Sequence, residues 1–278
     1  MSPRDAAAWK LLRDLIQSRL GLLFDGGRQD ILETRLRTRV RELGLDSLRD
    51  YYQHLRFHPT GEAELSRLAS LITNNETYFF RETNQFEILT KHVLPPLRAG
   101  LKERPLKILC AGCSSGDEAY SLVIALQNAG LEAAGITWEI DAHDVDSEQI
   151  AQGRAAVYDQ SSLRACDAES RRRYFTPIAD RFQLKERHRR GVRFFETNLV
   201  SPKQPMSRGV YDVIFCRNML IYFAQPAFTS VIDMFAEALR PGGYLMLGHS
   251  ESLLDRSTPF VPVLLDGGVV YRKLPIAA

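Results

Sequence analysis

Lys107-Ile108-Leu109-Cys110-Ala111-Gly112-Cys113-Ser114-Ser115-Gly116-Asp117-Glu118, running on into Ala119-Tyr120-Ser121-Leu122-Val123-Ile124-Ala125-Leu126, is the stretch from which the architecture follows. A short apolar run reads as a buried parallel strand. It breaks into a loop of small residues and restarts with helical periodicity. Small residues let a backbone approach a ligand closely, and the next helix's first turn offers unpaired N–H groups. That is the layout of a nucleotide-type site. The loop has only Gly112 and Gly116, short of the three-glycine dinucleotide fingerprint, and places Asp117 and Glu118 at the helix start. Acids there repel a pyrophosphate but accept hydrogen bonds from an ammonium group. The pattern points away from NAD and toward a ligand with an amino-acid end, such as S-adenosylmethionine. The plain alternative is a strand-turn-helix that holds nothing.

Working outward, 278 residues hold one large domain, or a small one plus a medium one. Hydrophobic content of 45% and charged content of 25% are those of an ordinary globular protein. A formal net charge of +2 demands neither a nucleic acid nor an anionic membrane as partner. No apolar run approaches the ~20 residues needed to span a bilayer. Met1-Ser2-Pro3-Arg4-Asp5 carries an acid and leads into an amphipathic segment rather than a signal-peptide core. Four scattered cysteines suit a reducing cytoplasm. Cys110 and Cys113 form a C-x-x-C without a second ligand pair, so they read as small packing residues and no metal is expected.

Residues up to about 72 read as a small helical domain. Trp9, Leu12, Ile16 and Leu20 recur at helical spacing, as do Leu32, Leu36, Val40 and Leu43 before Gly44. Leu48, Tyr51, Tyr52 and Leu55, then Leu65, Leu68, Leu71 and Ile72, make two further segments. From about 105 strands and helices alternate. Strands are predicted over 106–111, 136–143, 192–196, 211–216 and 244–248, with a late pair near 260–265 and 269–272. Helices are clearest over 118–129, 147–155 and 226–240, the last closed by the turn Pro241-Gly242-Gly243. Alternation with continuously apolar strands argues for an α/β fold built on a doubly wound parallel sheet. The stretch 159–191 fits poorly. It is charged, with Arg171-Arg172-Arg173 and Arg187-His188-Arg189-Arg190, and reads as a small inserted subdomain. Phe182/Leu184 and Val192/Phe194 alternate with polar residues on either side of a polar turn, which suggests a hairpin between them. Its basic cluster reads as a solvated face before a nucleic-acid patch.

In an open parallel sheet, ligand residues lie just past the C-terminal ends of strands. That rule selects Gly112, Ser114, Gly116 and Glu118 after the first strand. Asp144 follows the second, placed to accept from both ribose hydroxyls. Its alternative is a helix cap, for which Asp146 is better positioned. Asn198 and Leu199 follow the third strand and suit the edge and face of an adenine. Arg217, Asn218 and Tyr222 follow the fourth. At the join of the two halves, Thr73-Asn74-Asn75-Glu76-Thr77-Tyr78-Phe79-Phe80-Arg81 mixes aromatic with polar residues and has no helical or strand period. A segment that folds over a ligand needs that composition, whereas a linker does not; a purely structural joint is the alternative.

These motifs resemble the chemotaxis receptor methyltransferase (CheR) family. The resemblance rests on Asn75 to Arg81, Gly112 to Ser121, Phe215-Cys216-Arg217-Asn218-Met219-Leu220-Ile221-Tyr222-Phe223, Leu239 to Gly243 and Gly248 to Ser252, in family order over nearly the whole chain. It implies a helical N-terminal domain (1–72), a linker and cofactor-covering segment (73–104), and a class I, Rossmann-like methyltransferase domain (105–278) with a small inserted antiparallel β subdomain. It implies S-adenosylmethionine as methyl donor, S-adenosylhomocysteine as product, and chemoreceptor glutamate side chains as acceptors. By motif position Asn75, Thr77, Arg81, Glu118, Asp144, Asn198, Leu199, Arg217 and Asn218 surround the cofactor, with Arg81 and Tyr222 nearest the transferred methyl. Asp117 and Ala119 stand where the family usually has Glu and Pro. The stretch 174–198 looks shorter than in members that grip a receptor's tail peptide, so docking on the methylation helices themselves is expected.

The chemistry so implied is undemanding of protons. A glutamate carboxylate, with an ordinary pKa of about 4.3, is already ionised at neutral pH, and a neutral thioether leaves. Neither a general base nor an oxyanion hole is needed, and positioning, worth up to ~7–11 kcal/mol, remains. Arg81 either orients the acceptor or holds the cofactor's carboxylate. On a helix from 28 to 43, Arg28, Arg35 and Arg39 share one stripe, which suits an acidic receptor helix or is simply solvated. The chain is expected to be a cytoplasmic monomer that acts on the helical region of chemoreceptors, with no nucleic acid and no membrane insertion. Two other functions stay open: a methyltransferase of another substrate, and a non-catalytic cofactor-binding regulator. The absence of an Asn/Asp-Pro-Pro-Tyr/Phe motif and the low net charge count against the first.

Overall fold

The computed structural model describes residues 3–202 and 206–274; the sequence readings at Met1-Ser2 and at the last four residues lie outside them. Four helices come first: α1 (Pro3–Leu20), α2 (Arg28–Glu42), α3 (Leu48–Phe57) and α4 (Gly61–Ile72). Their apolar residues at three- and four-residue spacing meet in one core, with Leu12, Ile16, Leu32, Leu36, Tyr51 and Leu68 fully enclosed. Gly44 takes φ +64° just beyond α2, and the amides of Gly44 and Leu45 return to the carbonyls of Arg41 and Val40. Ser47 caps α3 by accepting from the Asp50 amide at 3.2 Å.

Residues 73–82 carry no regular helix or strand. The next stretch, which the sequence reading assigned to a linker, is helical. It runs through α5 (Thr83–Ile88), a π turn (Leu89–Val93), α6 (Leu94–Leu97) and a 3-10 turn (Arg98–Leu101). Phe86, Ile88, Leu89, Val93 and Leu94 are buried in the same core as the sheet.

The sheet domain then alternates as predicted. In order come β1 (Leu106–Ala111), α7 (Asp117–Asn128), β2 (Trp138–Asp144), α8 (Ser147–Ala155), β3 (Val157–Tyr158), α9 (Ala168–Tyr174), β4 (Phe175–Ile178), β5 (Arg181–Leu184), β6 (Val192–Glu196), β7 (Tyr211–Cys216), α10 (Gln225–Ala238), β8 (Leu239–Leu247), β9 (Phe260–Leu265) and β10 (Gly268–Lys273). Seven strands lie in the order β6-β2-β1-β7-β8-β10-β9. The first five are parallel, and β10 and β9 add an antiparallel edge. Every residue of β7 is buried, as a strand covered on both faces requires. The chain leaves β1 toward β2 on one side and returns through β7 on the other. The crevice above β1 is therefore the topological switch point, where open α/β sheets bind ligands.

Two local readings are corrected. The inserted sheet is β3-β5-β4 and begins at Val157; its hairpin turns at Ala179-Asp180, between β4 and β5, not between Leu184 and Val192. Val192–Glu196 instead pairs with β2 in the main sheet, because a turn pattern does not say which sheet receives the second strand. Pro241-Gly242-Gly243 does not close α10, which ends at Ala238; it lies inside β8. Proline pushes the preceding Arg240 out of the helical region. At Gly243 a Cβ would stand 2.9 Å from the Asp212 carbonyl, so the two strands approach where a side chain cannot fit.

Candidate active site

Above the β1/β7 crevice, and under the foot of the helical domain, lies a pocket of about 1080 Å³ counting its open mouth. Five segments build it: residues 72–81, the loop after β1, the loop after β2, the loop after β6 and the turn after β7, with Leu20, Leu22 and Arg28 closing one side. Among the sequence-predicted residues, Asn75, Thr77, Arg81, Gly112, Ser114 and Glu118 line it. So do Asp144, Asn198, Leu199, Arg217, Asn218 and Tyr222.

Asp144, at the end of β2, is 9% exposed and holds the loop after β1. Its Oδ2 accepts from the Ser114 amide at 2.8 Å and its Oδ1 from the Asp146 amide at 2.9 Å. Burial pushes its carboxyl up to about 6 against the pull of these N–H groups. Asp146 is the cap of α8, accepting from the Glu148 and Gln149 amides as anticipated. It also accepts from Ser70 and from Asn75 Nδ2, each at 2.7 Å, so one carboxylate ties the helical domain and the 73–82 segment to the sheet.

Arg217 is the charge at the centre, with a side chain only 1% exposed. Its Nη1 donates to Glu118 Oε2 at 2.7 Å and its Nη2 to the Arg81 carbonyl at 2.5 Å, with Glu82 Oε2 3.2 Å away. Burial alone would lower the Arg217 pKa, but the Glu118 and Glu82 charges outweigh it and hold the guanidinium ionised. Its Nε–H is buried without a partner. The following turn is held by Glu251, whose two oxygens accept from the amides of Gly248, Asn218, Met219 and Leu220 at 2.7–2.9 Å. Phe80, Glu82, Ser114 and Asn218 are non-glycine residues with φ between +47° and +59°. Such strain persists only where surrounding contacts over-determine the backbone.

At the mouth, Tyr222 Oη accepts from Asn74 Nδ2 at 2.8 Å, and the Arg28 guanidinium lies 4.6 Å above the Tyr222 ring and 5.2 Å from the Phe24 ring. Arg81 donates to the Glu76 carbonyl at 2.6 Å and faces Tyr78. Among the described residues, Arg28 and Arg81 have no carboxylate partner.

Four expectations change. Gly116 does not line the pocket; with φ +83° and Phe194 2.7 Å from where a Cβ would sit, it is a turn and packing glycine. Asn198 spends half its amide on backbone, donating to the Arg19 carbonyl at 2.6 Å and accepting from the Val200 amide at 3.0 Å, which leaves one N–H and one lone pair for an adenine edge. Arg39 is no docking residue: its side chain is 12% exposed and bidentate on buried Glu64, which also accepts from Tyr51, because α2 is rotated to bring it onto α4. Arg28 leaves the stripe for the pocket mouth, and Arg35 alone of the three stays exposed outside the pocket. Sequence reasoning passed over Asn74, Glu82 and Glu251, though each sits inside or beside a quoted motif.

A doubly wound sheet with acids after its first two strands and an antiparallel edge hairpin defines a class I, S-adenosylmethionine-dependent methyltransferase. The chain belongs to the CheR methyltransferase family. Residues 75–266 match its SAM binding domain and residues 7–73 its all-alpha domain. It is 36% identical to chemotaxis protein methyltransferase 2 of Vibrio cholerae, over 89% of this chain and 86% of that protein. It is 32% identical to the chemotaxis protein methyltransferase of Salmonella typhimurium, over 95% and 89%. The probable biofilm formation methyltransferase WspC of Pseudomonas aeruginosa is 34% identical over 93% of this chain and 60% of that protein. No helix among the described residues is long and apolar enough to cross a membrane.

Proposed function

We propose that this methyltransferase esterifies glutamate side chains on the helical region of chemoreceptors, acting in the cytoplasm. The observation that carries the reading is the pocket mouth. A tyrosine hydroxyl and an arginine without a carboxylate partner stand together there, and among the described residues no histidine lines the pocket. A surface built to receive a carboxylate and move no proton suits an acceptor that arrives ionised.

The residues present fit the donor. Glu118 keeps lone pairs for an ammonium, while the Arg81 guanidinium, free of any carboxylate among the described residues, can receive a carboxylate. Asp144 holds the loop with one lone pair per oxygen and keeps the others for two ribose hydroxyls. Leu199, Asn198, Gly112, Ser114, Asn75, Thr77 and Asn218 complete the wall. When bound, S-adenosylmethionine supplies a methyl group on a positively charged sulfonium. Tyr222 donates its hydroxyl hydrogen to one acceptor oxygen and leaves the other free to attack. Arg28, over the Tyr222 ring, draws the carboxylate in. Arg35, exposed on α2, extends that attraction toward an acidic receptor helix. The chemistry is positioning, with the side chains already held by Asn74, Asp146 and Glu251.

Transfer of radiolabelled methyl to receptor, followed by mild base, tests the reading. Release of labelled methanol is expected. Label that resists base signifies methylation at nitrogen, and no transfer signifies a regulator; either result overturns the proposal.

A further inference from the structure

Glu82 lies outside the motif residues given a role above, yet its side chain joins two separate segments of the site, the turn after β7 and the loop after β8. Its Oε2 faces Arg217 Nη2 at 3.2 Å, and its Oε1 accepts from Asn218 Nδ2 at 3.3 Å and contacts His249 Nδ1 at 2.6 Å. Its own backbone is left-handed, at φ +54°, a cost that a non-glycine residue bears only where its contacts hold it. Its side chain is 15% exposed, and the two carboxylates that flank the enclosed Arg217 are Glu82 and Glu118.

The charges count unevenly. One buried guanidinium is matched by two carboxylates, so the Glu82–Arg217–Glu118 trio carries one net negative charge. A buried excess charge is costly unless something neutralises it. The trio borders a pocket whose ligand has an ammonium group. With Glu82 sharing the guanidinium, Glu118 is not consumed as the only counter-ion of Arg217, and its remaining lone pairs stay available. Burial resists ionisation of Glu82, but the Arg217 charge and the hydrogen bonds of His249, Arg217 and Asn218 bring its carboxyl down to about 2, so the negative charge is permanent near neutrality.

We propose that Glu82 is a positioning residue for the amino-acid end of the cofactor: acting through Arg217, it makes the site electrostatically incomplete until an ammonium binds beside Glu118. This rests on the assignment of the pocket to S-adenosylmethionine. It concerns the methionine end alone, and the nucleoside end, held at Asp144 and Leu199, lies outside its reach.

That division supplies the test. Calorimetry on the full chain compares S-adenosylhomocysteine, which has the amino-acid end, with 5′-methylthioadenosine, which lacks it. In Glu82→Gln the shape is kept and the trio becomes neutral. Loss of one interaction with a charged group predicts at least about tenfold weaker S-adenosylhomocysteine binding and unchanged 5′-methylthioadenosine binding. Glu82→Asp keeps the charge and should recover part of the loss; should the glutamine variant fail to fold, the ratio of the two affinities in the aspartate variant against the parent decides instead. Equal S-adenosylhomocysteine affinity in variant and parent, or a parallel loss of both ligands, overturns the proposal. A parent that binds neither ligand would instead remove the cofactor assignment.

Discussion

Glu251→Gln is the substitution whose effect the structure determines most sharply. In the parent, Oε2 accepts from the Gly248 and Asn218 amides and Oε1 from the Met219 and Leu220 amides, with the carboxylate 9% exposed. Glutamine keeps one acceptor oxygen and replaces the other with an NH2 group, so two buried backbone N–H groups meet a donor. Each hydrogen bond to a charged group contributes about 1.5–3 kcal/mol, which puts the loss at about 3–6 kcal/mol. Part is offset because the parent carboxylate is itself disfavoured by burial, which raises its pKa despite the four amides. A net loss of about 3 kcal/mol is therefore expected, lowering Tm by roughly 6–12 °C for a chain of this size. Urea unfolding followed by circular dichroism measures the first quantity and a thermal melt the second. The amides concerned belong to the turn that sets Arg217 and Tyr222, so S-adenosylhomocysteine affinity should fall with stability. A variant within about 0.5 kcal/mol of the parent would refute the reasoning and show that the turn holds itself.

Tyr222→Phe removes the hydroxyl that accepts from Asn74 but keeps the ring under Arg28, so kcat should fall by about tenfold to a hundredfold while S-adenosylhomocysteine affinity stays within twofold; unchanged kcat would remove Tyr222 from the chemistry. The Asp144 carboxyl titrates near 6, above its ordinary value, so it is ionised at pH 7 and takes up a proton as pH falls toward 5. Cofactor affinity should weaken over that window, and Asp144→Asn should bind less tightly with a flat profile; persistence of the slope in the variant would assign it to Asp117, which is also raised to about 6. Arg39→Ala leaves Glu64 buried without its ion pair and should cost about 3–5 kcal/mol of stability in denaturant unfolding, whereas Arg35→Glu should leave stability alone and raise KM for receptor. Equal stability of Arg39→Ala and parent would return Arg39 to the docking surface.

Local chemistry alone determined much of this protein. The alternation of apolar strands with amphipathic helices, the small-residue loop at Gly112 to Gly116 and the acids at Glu118 and Asp144 are all properties of neighbours in the chain, so the sheet and the floor of the pocket were legible residue by residue. The CheR motifs added the donor and the order of the segments. Tertiary structure decided what depends on partners far apart in sequence. The same helical stripe that holds Arg35 in solvent turns Arg39 onto Glu64 and bends Arg28 to the Tyr222 ring, since a helix's spacing fixes which residues share a face but not which neighbour that face meets. The hairpin of the inserted sheet and the extended path through Pro241 followed from pairing partners that periodicity does not name. Glu82 and Glu251 carried no role in the sequence, although one follows a motif and the other lies inside one. They became parts of the site only when the chain brought a buried guanidinium and four backbone amides to them, because burial turns an exposed charge into an interaction that must be satisfied.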